Sequence, residues 1–109
     1  MPKFKINVDK KGNFYTPTKF KLVEADMIGA GSDQSKVFIK LLQPKEAHIK
    51  VLTLTINKKT LNAPAVQTGK LITIGPFPMV VGDNAISFEG TSDQPEEPLE
   101  FEVTPQLLK

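Results

Sequence analysis

The chain has 109 residues, of which 39% are hydrophobic, and this suits one domain with a single modest core. It contains no cysteine, which excludes disulfide bonds, thiolate metal sites and a cysteine nucleophile. All fourteen basic residues are lysines, and without the bidentate guanidinium fork we expect no sequence-specific nucleic-acid binding.

Charge is distributed unevenly along the sequence. Residues 1–59 hold twelve lysines against five acidic residues, whereas residues 60–109 hold two lysines against seven. Such a chain can associate through Lys faces of one copy and acidic faces of the next. No apolar run approaches the roughly 18 residues that cross a bilayer, and the start MPKFKINV lacks a signal-peptide block. We therefore expect synthesis in the cytoplasm and no membrane partner.

The N-terminal part of the sequence alternates apolar and polar residues with a period of two, which is typical of strands with one buried face. A turn is predicted at 9–12 (DKKG). The segment 27–35 (MIGAGSDQS) is interpreted as an ordinary loop, because its glycines are not followed by the ending of a phosphate-binding loop.

The run 48–56 (HIKVLTLTI) does not keep one phase of alternation. Ile49 and Val51 share one phase, whereas Leu54 and Ile56 share the other. A β-bulge near Val51 would reconcile the two phases, and so would a strand that is covered on both faces.

Two further strands are predicted near 71–74 and 99–103. Between them, 76–90 (PFPMVVGDNAISFEG) is interpreted as a strand, a tight hairpin turn and a second strand. The predicted turn contains Gly82 and Asn84, since both residue types tolerate positive φ and Asn hydrogen-bonds its own turn.

Short strands with turn signals about every ten residues predict an all-β fold. We expect a single antiparallel β-sandwich of jelly-roll or galectin-like type that spans 1–109 as one domain. Its first and last strands are predicted to be antiparallel neighbours, which places Lys3 and Lys5 opposite Glu100 and Glu102. The predicted core contains Phe4, Ile6, Phe20, Leu22, Ile39, Leu54, Ile72, Ile86, Phe88 and Phe101.

The residues that could carry catalysis are few. His48 beside Asp26 or Asp33 could act as a general base, but a lone histidine at a strand end is usually a surface residue. Glu100 and Glu102 share a face, as glycosidase carboxylates do, but any water-facing strand has this spacing. Because the sequence has no nucleophile elbow and no metal-ligand cluster, we expect no catalytic residue, no metal and no cofactor.

Three aromatic residues are candidates for exposure: Tyr15, Phe38 and Phe77. Together on one face they would form the stacking platform of a carbohydrate-binding module, although a sequence with no Trp and one Tyr supplies it poorly. Phe77, between two prolines, could instead anchor a protein interface. The candidate interface residues are therefore Tyr15, Phe38, Phe77, Lys3, Lys5, Glu100 and Glu102.

The order Phe77-Pro78, two apolar residues and then GDNAISFEG (82–90) resembles the penultimate hairpin of a known module. This is the galectin-like β-sandwich in distal tail and related baseplate proteins of tailed phages. The family pattern is roughly Phe-Pro, a hydrophobic residue, Pro-Gly-x-Asn-x-Ile-x-hydrophobic-x-Gly, and then a loop and a last strand. Val81 stands where the family often has proline, and LEFEV (99–103) occupies the last strand. The resemblance covers roughly residues 50–104.

The resemblance implies a structural module of a virion that acts through protein–protein contacts, with copies of itself or with other virion proteins. A phage tail or baseplate component is the first expectation. A capsid decoration protein or a jelly roll at a capsid vertex is the nearest alternative, and a carbohydrate-binding module is the alternative from another class.

Overall fold

The computed structural model describes residues 3–22, 35–63, 65–80 and 82–106, and the predicted loop 27–35 lies outside them except for Ser35. The regular secondary structure of these residues is β-strand, and none of it is a helix that could cross a membrane. The strands are β1 (Lys3–Ile6), β2 (Asn13–Leu22), β3 (Ser35–Gln43), β4 (His48–Ile56), β5 (Lys59–Ala63), β6 (Val66–Gln67), β7 (Leu71–Phe77), β8 (Gly82–Ser92) and β9 (Leu99–Gln106).

The strands pair in a nested order, like the two arms of one long hairpin. β1 pairs with β9, β2 with β8, β3 with β7, and β4 with β5 and β6, all antiparallel. The hairpin folds over, so that β9 also pairs with β3 and β8 with β4. Sheet A then has the order β1-β9-β3-β7 and sheet B the order β2-β8-β4-β5. Two such sheets packed together form a jelly-roll sandwich, which confirms the predicted fold class.

The two sheets enclose one hydrophobic core. Phe88 of sheet B and Phe101 of sheet A stack at its centre, with ring centroids 5.2 Å apart. Phe4 packs on Phe88 from the edge of sheet A, with centroids 5.5 Å apart. Among the predicted core residues, Phe4 and Ile72 are half-buried, the side chain of Leu22 lies outside the described part, and the other seven are buried.

The pairing of β1 with β9 agrees with the sequence prediction. Lys3 lies opposite Glu102, and Lys5 lies opposite Glu100. Lys40 of β3 lies opposite Glu102 on the other side of β9. The acidic last strand is therefore flanked on both sides by lysine-bearing strands from the first half of the chain.

A similar relation occurs in sheet B, where Lys19 Nζ of β2 lies 3.8 Å from Asp83 Oδ2 of β8. It is the only ion pair within the residues that the structure describes. Nested pairing always joins the start of the chain to its end. The uneven charge along the sequence is thus balanced in part between neighbouring strands of one molecule, and by itself it does not indicate contacts between copies.

β4 contains the bulge that the two-phase pattern predicted. Its pairing with β8 shifts register between Ile49 and Leu52, so that Lys50 and Val51 together oppose a single residue. Ile49 and Leu52 are both fully buried, whereas Val51 is 51% exposed. The alternative of a strand covered on both faces is therefore wrong for this part of β4.

The hairpin predicted at 76–90 is wrong. β7 belongs to sheet A and β8 to sheet B, so the chain crosses between the sheets where a hairpin would have paired the two strands. The period of two identifies strands but carries no information about which sheet each one joins. Asn84 does organise the connection, since its buried amide accepts from Val80 N and donates to Val80 O, both at 2.8 Å.

The predicted exposure of Phe77 is also wrong, because its side chain is fully buried. Continued alternation from Ile72 and Ile74 would turn Phe77 outward. The pairing of β7 with β3 shifts register after Ile74, however, and the shift returns Phe77 to the inward face. The strands are so close at this bulge that a Cβ on Gly75 would lie 3.0 Å from Lys36 Cα.

Candidate functional site

An open groove lies on the outer face of sheet B, over the bulge of β4. It has a volume of ≈ 930 Å³ and is formed by β2, β8, β4 and the adjoining loops. We call it the Tyr15 groove. A concave surface of this size is the first place to look for a binding function. The residues that determine its chemistry are Tyr15, Lys50, Val51, Glu89, Thr91 and Asp93.

One row of side chains crosses the floor of the Tyr15 groove. Tyr15 pairs with Glu89, and Glu89 pairs with Thr53 on its other side. Tyr15 is 63% exposed, and the Glu89 carboxylate has no hydrogen-bond or ion-pair partner among the described residues. Thr53 Oγ1 donates to Asn62 Oδ1 at 3.0 Å, which fixes the end of the row. The floor thus offers a ring, a free carboxylate and an ordered hydroxyl.

The bulge of β4 determines the shape of the groove. It turns Val51 outward, so that Val51 and Tyr15 present apolar surface on either side of β8. Gly90 of β8 lies beneath them, and a Cβ there would lie 2.8 Å from Val51 O and 2.9 Å from Phe14 Cζ. Backbone carbonyls do not yield easily to such a contact, so the close approach of β4 and β8 requires glycine.

Two carboxylates at the end of the groove stabilise its loops. Asp93 Oδ1 accepts a hydrogen bond of 2.8 Å from His48 N, and Asp93 N donates one of 3.1 Å to His48 O. Asp9 Oδ1 accepts from two backbone N–H groups of the β1–β2 turn, both at 2.8 Å. Glu89, in contrast, makes no such bond, and it is the groove carboxylate best placed to contact a ligand.

The other predicted interface residues lie away from the Tyr15 groove. Phe38 is half-buried on the outer face of sheet A, and Phe77 is in the core. The three predicted rings therefore share no face, and the sugar-stacking platform that they would form together does not exist. The charged candidates are on strands of sheet A: Lys3, Lys5, Glu100 and Glu102.

Sequence reasoning identified Tyr15 but missed Glu89, Lys50 and Val51. The change of phase at Val51 was the available signal, because a bulge exposes a residue that regular alternation would bury. That Glu89 lies directly across from Tyr15 could not be read from the sequence, because it depends on the register of β2 against β8.

The edge of sheet B that β2 forms is protected against the addition of another strand. Gly12 O accepts from Ser92 N of β8, whereas Asn13 O points the other way and accepts from Asp9 N. Backbone groups along a strand point alternately to its two sides, so those of Pro17, like those of Asn13, point away from β8. Proline has no N–H to donate to an added strand there. Exposed lysines on the same edge and proline within it are recognised devices that discourage edge-to-edge pairing.

His48 is the first residue of β4, at the rim of the groove, and its considered partners Asp26 and Asp33 lie outside the described residues. Within the described ranges, no group of three or more His, Cys, Asp or Glu side chains is placed to hold a metal ion. No protein family, curated protein or solved structure matches the chain.

Proposed function

We propose that this chain is a non-catalytic structural subunit of a virus particle, and more specifically a tail or baseplate component of a bacteriophage. It acts by protein–protein contact with copies of itself or with other virion proteins, after synthesis in the host cytoplasm. The observation that carries the contact role is the Tyr15 groove, where exposed Tyr15 and Val51 lie on a rigid sheet. The sequence resemblance of residues 77–90 to phage tail modules supports the more specific assignment. It is a resemblance of sequence alone, since these residues cross between the sheets and form no hairpin.

The composition of the groove favours a protein partner over a sugar. Interfaces between proteins combine aromatic and aliphatic anchors with polar groups at the rim. The Tyr15 groove has this combination, with Tyr15 and Val51 as anchors and Lys50 and Glu89 beside them. Stacking platforms for sugars need several rings on one face, and Phe38 and Phe77 do not join Tyr15 there.

Contact through side chains fits this molecule better than contact through added strands. The edge strand β1 has only four residues and carries Lys3 and Lys5, and the edge strand β2 contains Pro17. Strand addition needs a long, unprotected edge, so addition at β1 or β2 is disfavoured and contact through the outer faces and loops is favoured there.

A capsid decoration or vertex protein is the nearest alternative. Jelly-roll sandwiches occur in viral capsid proteins and in lectins, and one fold serves many functions, so the strand order does not separate the capsid role from the tail role. Fractionation of particles into heads and tails would separate the two, since the chain would stay with one of them.

A carbohydrate-binding module is a second candidate, favoured by one specific feature. Tyr15 lies directly across from Glu89, so a single sugar could stack on the ring while the carboxylate accepts from its hydroxyls. NMR titration of the ¹⁵N-labelled chain with a panel of oligosaccharides tests this role. Shifts confined to Tyr15, Glu89 and Thr53 would favour it over the structural role.

The structural role is tested by following the tagged chain, expressed at its native level, through purification of particles from its natural source. We expect it to migrate with particles or tails in several copies and to co-purify with other virion proteins. A strictly monomeric chain that binds glycans and never enters a particle would contradict the proposal. An enzymatic activity that His48→Ala abolishes in a folded protein would contradict its non-catalytic part.

A further inference from the structure

We infer, on the basis of the structural role proposed above, that the Tyr15 groove is one half of a head-to-tail contact between copies of this chain. The other half is the tip of the β4–β5 turn, from which Lys58 of a neighbouring copy enters the groove. The contact combines a charge pair with apolar packing, and both are made by side chains.

The groove has the chemistry of a lysine site. A lysine side chain consists of a four-carbon apolar stem and a terminal ammonium group, so it prefers an apolar wall that leads to an acceptor. Tyr15 and Val51 provide the wall, and the exposed ring of Tyr15 also attracts a cation to its face. Glu89, paired across from Tyr15 and without a partner among the described residues, provides the acceptor.

Lys58 is suited to enter such a groove. Asn57 and Lys58 form the turn between β4 and β5, and both have positive φ, 48° and 74°. Two-residue turns of this conformation project from the end of a sheet. The Lys58 side chain is exposed and has no hydrogen-bond or ion-pair partner in the described part of the chain.

Among the described residues, which do not include the acidic residues at 24, 26 and 33, the charges of the two surfaces are complementary. Among the described residues, the end of the sandwich near Lys58 carries several lysines and one acidic residue: Lys19, Lys21, Lys36, Lys58, Lys59 and Asp83. The Tyr15 groove is lined by three acidic residues and one lysine: Asp9, Glu89, Asp93 and Lys50. Unlike Lys3 and Lys5, Lys58 lies in a turn and has no cross-strand partner.

A single molecule cannot make this contact with itself. The acceptor Glu89 pairs with Thr53, and Thr53 and Lys58 are five positions apart along β4 and its turn, which is about 16 Å at the usual rise per residue. The two surfaces therefore lie apart along a molecule whose longest dimension is 42 Å. A contact between different surfaces of identical copies repeats, and it closes into a ring or continues as a filament.

Sedimentation velocity of the full-length protein, over a range of concentrations and at low and high salt, tests the contact. We expect association that weakens in 1 M salt, where the screening length falls to about 3 Å. Glu89→Lys and Lys58→Glu should each weaken association about tenfold or more, because like charges then meet. Glu97→Lys and Lys45→Glu make the same charge changes on exposed loops and should leave association unchanged.

The charge-swapped double variant identifies the pair. Glu89→Lys combined with Lys58→Glu in one chain restores opposite charges, and we expect association to return to within about threefold of wild type. Tyr15→Ala should weaken association about tenfold, whereas Tyr15→Phe should retain it. Circular dichroism of each variant establishes that it is folded.

Three outcomes would overturn the inference. The first is a wild-type chain that stays monomeric at every concentration. The second is association that Glu89→Lys does not weaken, and the third is a double variant that associates no more strongly than the single variants. If the chain nevertheless enters particles, the structural role stands and only the head-to-tail contact fails. If the contact is found but the chain never enters a particle, the proposed role fails instead.

Discussion

The side chains of Asn57 and Asn84 are joined by a hydrogen bond of 2.8 Å from Asn57 Nδ2 to Asn84 Oδ1. The same Nδ2 donates to Pro78 O at 2.7 Å, while the Asn84 amide binds both backbone groups of Val80. These bonds link the β4–β5 turn to the place where the chain passes from sheet A to sheet B. The network satisfies polar groups that the crossing would otherwise bury without partners.

Replacement of Asn84 by alanine is expected to destabilise the protein by about 2–4 kcal/mol. The substitution leaves the N–H and C=O groups of Val80 without their Asn84 partner and removes one of the two acceptors of Asn57 Nδ2. Each buried unsatisfied group costs about 1–3 kcal/mol. Urea unfolding followed by circular dichroism measures the loss. Asn62→Ala, which removes an exposed bond to Thr53, serves as the control and should cost less than about 1 kcal/mol. Equal losses in the two variants would refute the role of the network.

Truncation of Phe88 to alanine is expected to cost about 3–5 kcal/mol, because it opens a cavity between the two sheets. Phe88 is fully buried and packs on both Phe101 and Phe4. A domain of total stability about 5–15 kcal/mol could unfold at such a loss, so Phe88→Leu provides a milder variant. Thermal unfolding should rank Phe88→Ala below Phe88→Leu, and both below Phe38→Ala. A Phe38→Ala variant as unstable as Phe88→Ala would contradict the position of the core.

The pair of Lys3 and Glu102 is expected to contribute only about 0.2–1 kcal/mol to stability, because exposed charges attract weakly in water. A double-mutant cycle with Lys3→Ala and Glu102→Ala measures the coupling energy. It should shrink in high salt, and the cycle of Lys3 with Glu97, which is not opposite, should give a value near zero. A salt-independent coupling well above this range would show that the pair does more than select register.

Gly90→Ala is expected to destabilise the protein by about 1–3 kcal/mol, since the added methyl group overpacks the contact between β4 and β8. Its Cβ would press on Val51 O and on the Phe14 ring. Ser87→Ala, on the same strand, should be nearly neutral. Urea unfolding of the two variants measures their stability. The amide chemical shifts of β4 measure the local structural change. A neutral Gly90→Ala with unchanged β4 shifts would argue against the geometry of the bulge.

Much of the sheet architecture could be predicted, because its determinants are local or are repeated along the chain. The period of two at Phe4 and Ile6 identifies the first strand, and the matching pattern at Phe101 identifies the last. Their charges then indicated the pairing. The phase change at Val51 indicated the bulge as one of two ways to reconcile the buried positions on either side of it, the other being a strand covered on both faces. That the chain is a virion component, and that it has no catalytic or cofactor role, stay predictions.

At the segment around Phe77, the local sequence pattern does not predict which residues face the core. Alternation carried forward from Ile74 turns Phe77 outward, but a bulge against β3 reverses its face. The sequence contains Gly75 and a proline at this place, and both are compatible with a bulge, a turn or a strand end. Only the neighbouring strand, which approaches Gly75 closely, selects the bulge.

Sequence by itself indicated most of the strands and most of their inward faces, and it offered the bulge in β4 as one of two alternatives, because side-chain polarity and the geometry of one extended chain carry that much information. The tertiary structure decided which sheet each strand joins. Because β7 and β8 join different sheets, the chain before Asn84 crosses between the sheets where the sequence indicated a hairpin. The pairing of β2 with β8 also places Tyr15 beside Glu89 on one outer face. The physical reason is that partner and register depend on the combined burial of strands far apart in sequence, whereas alternation reports only that each strand has a face to bury.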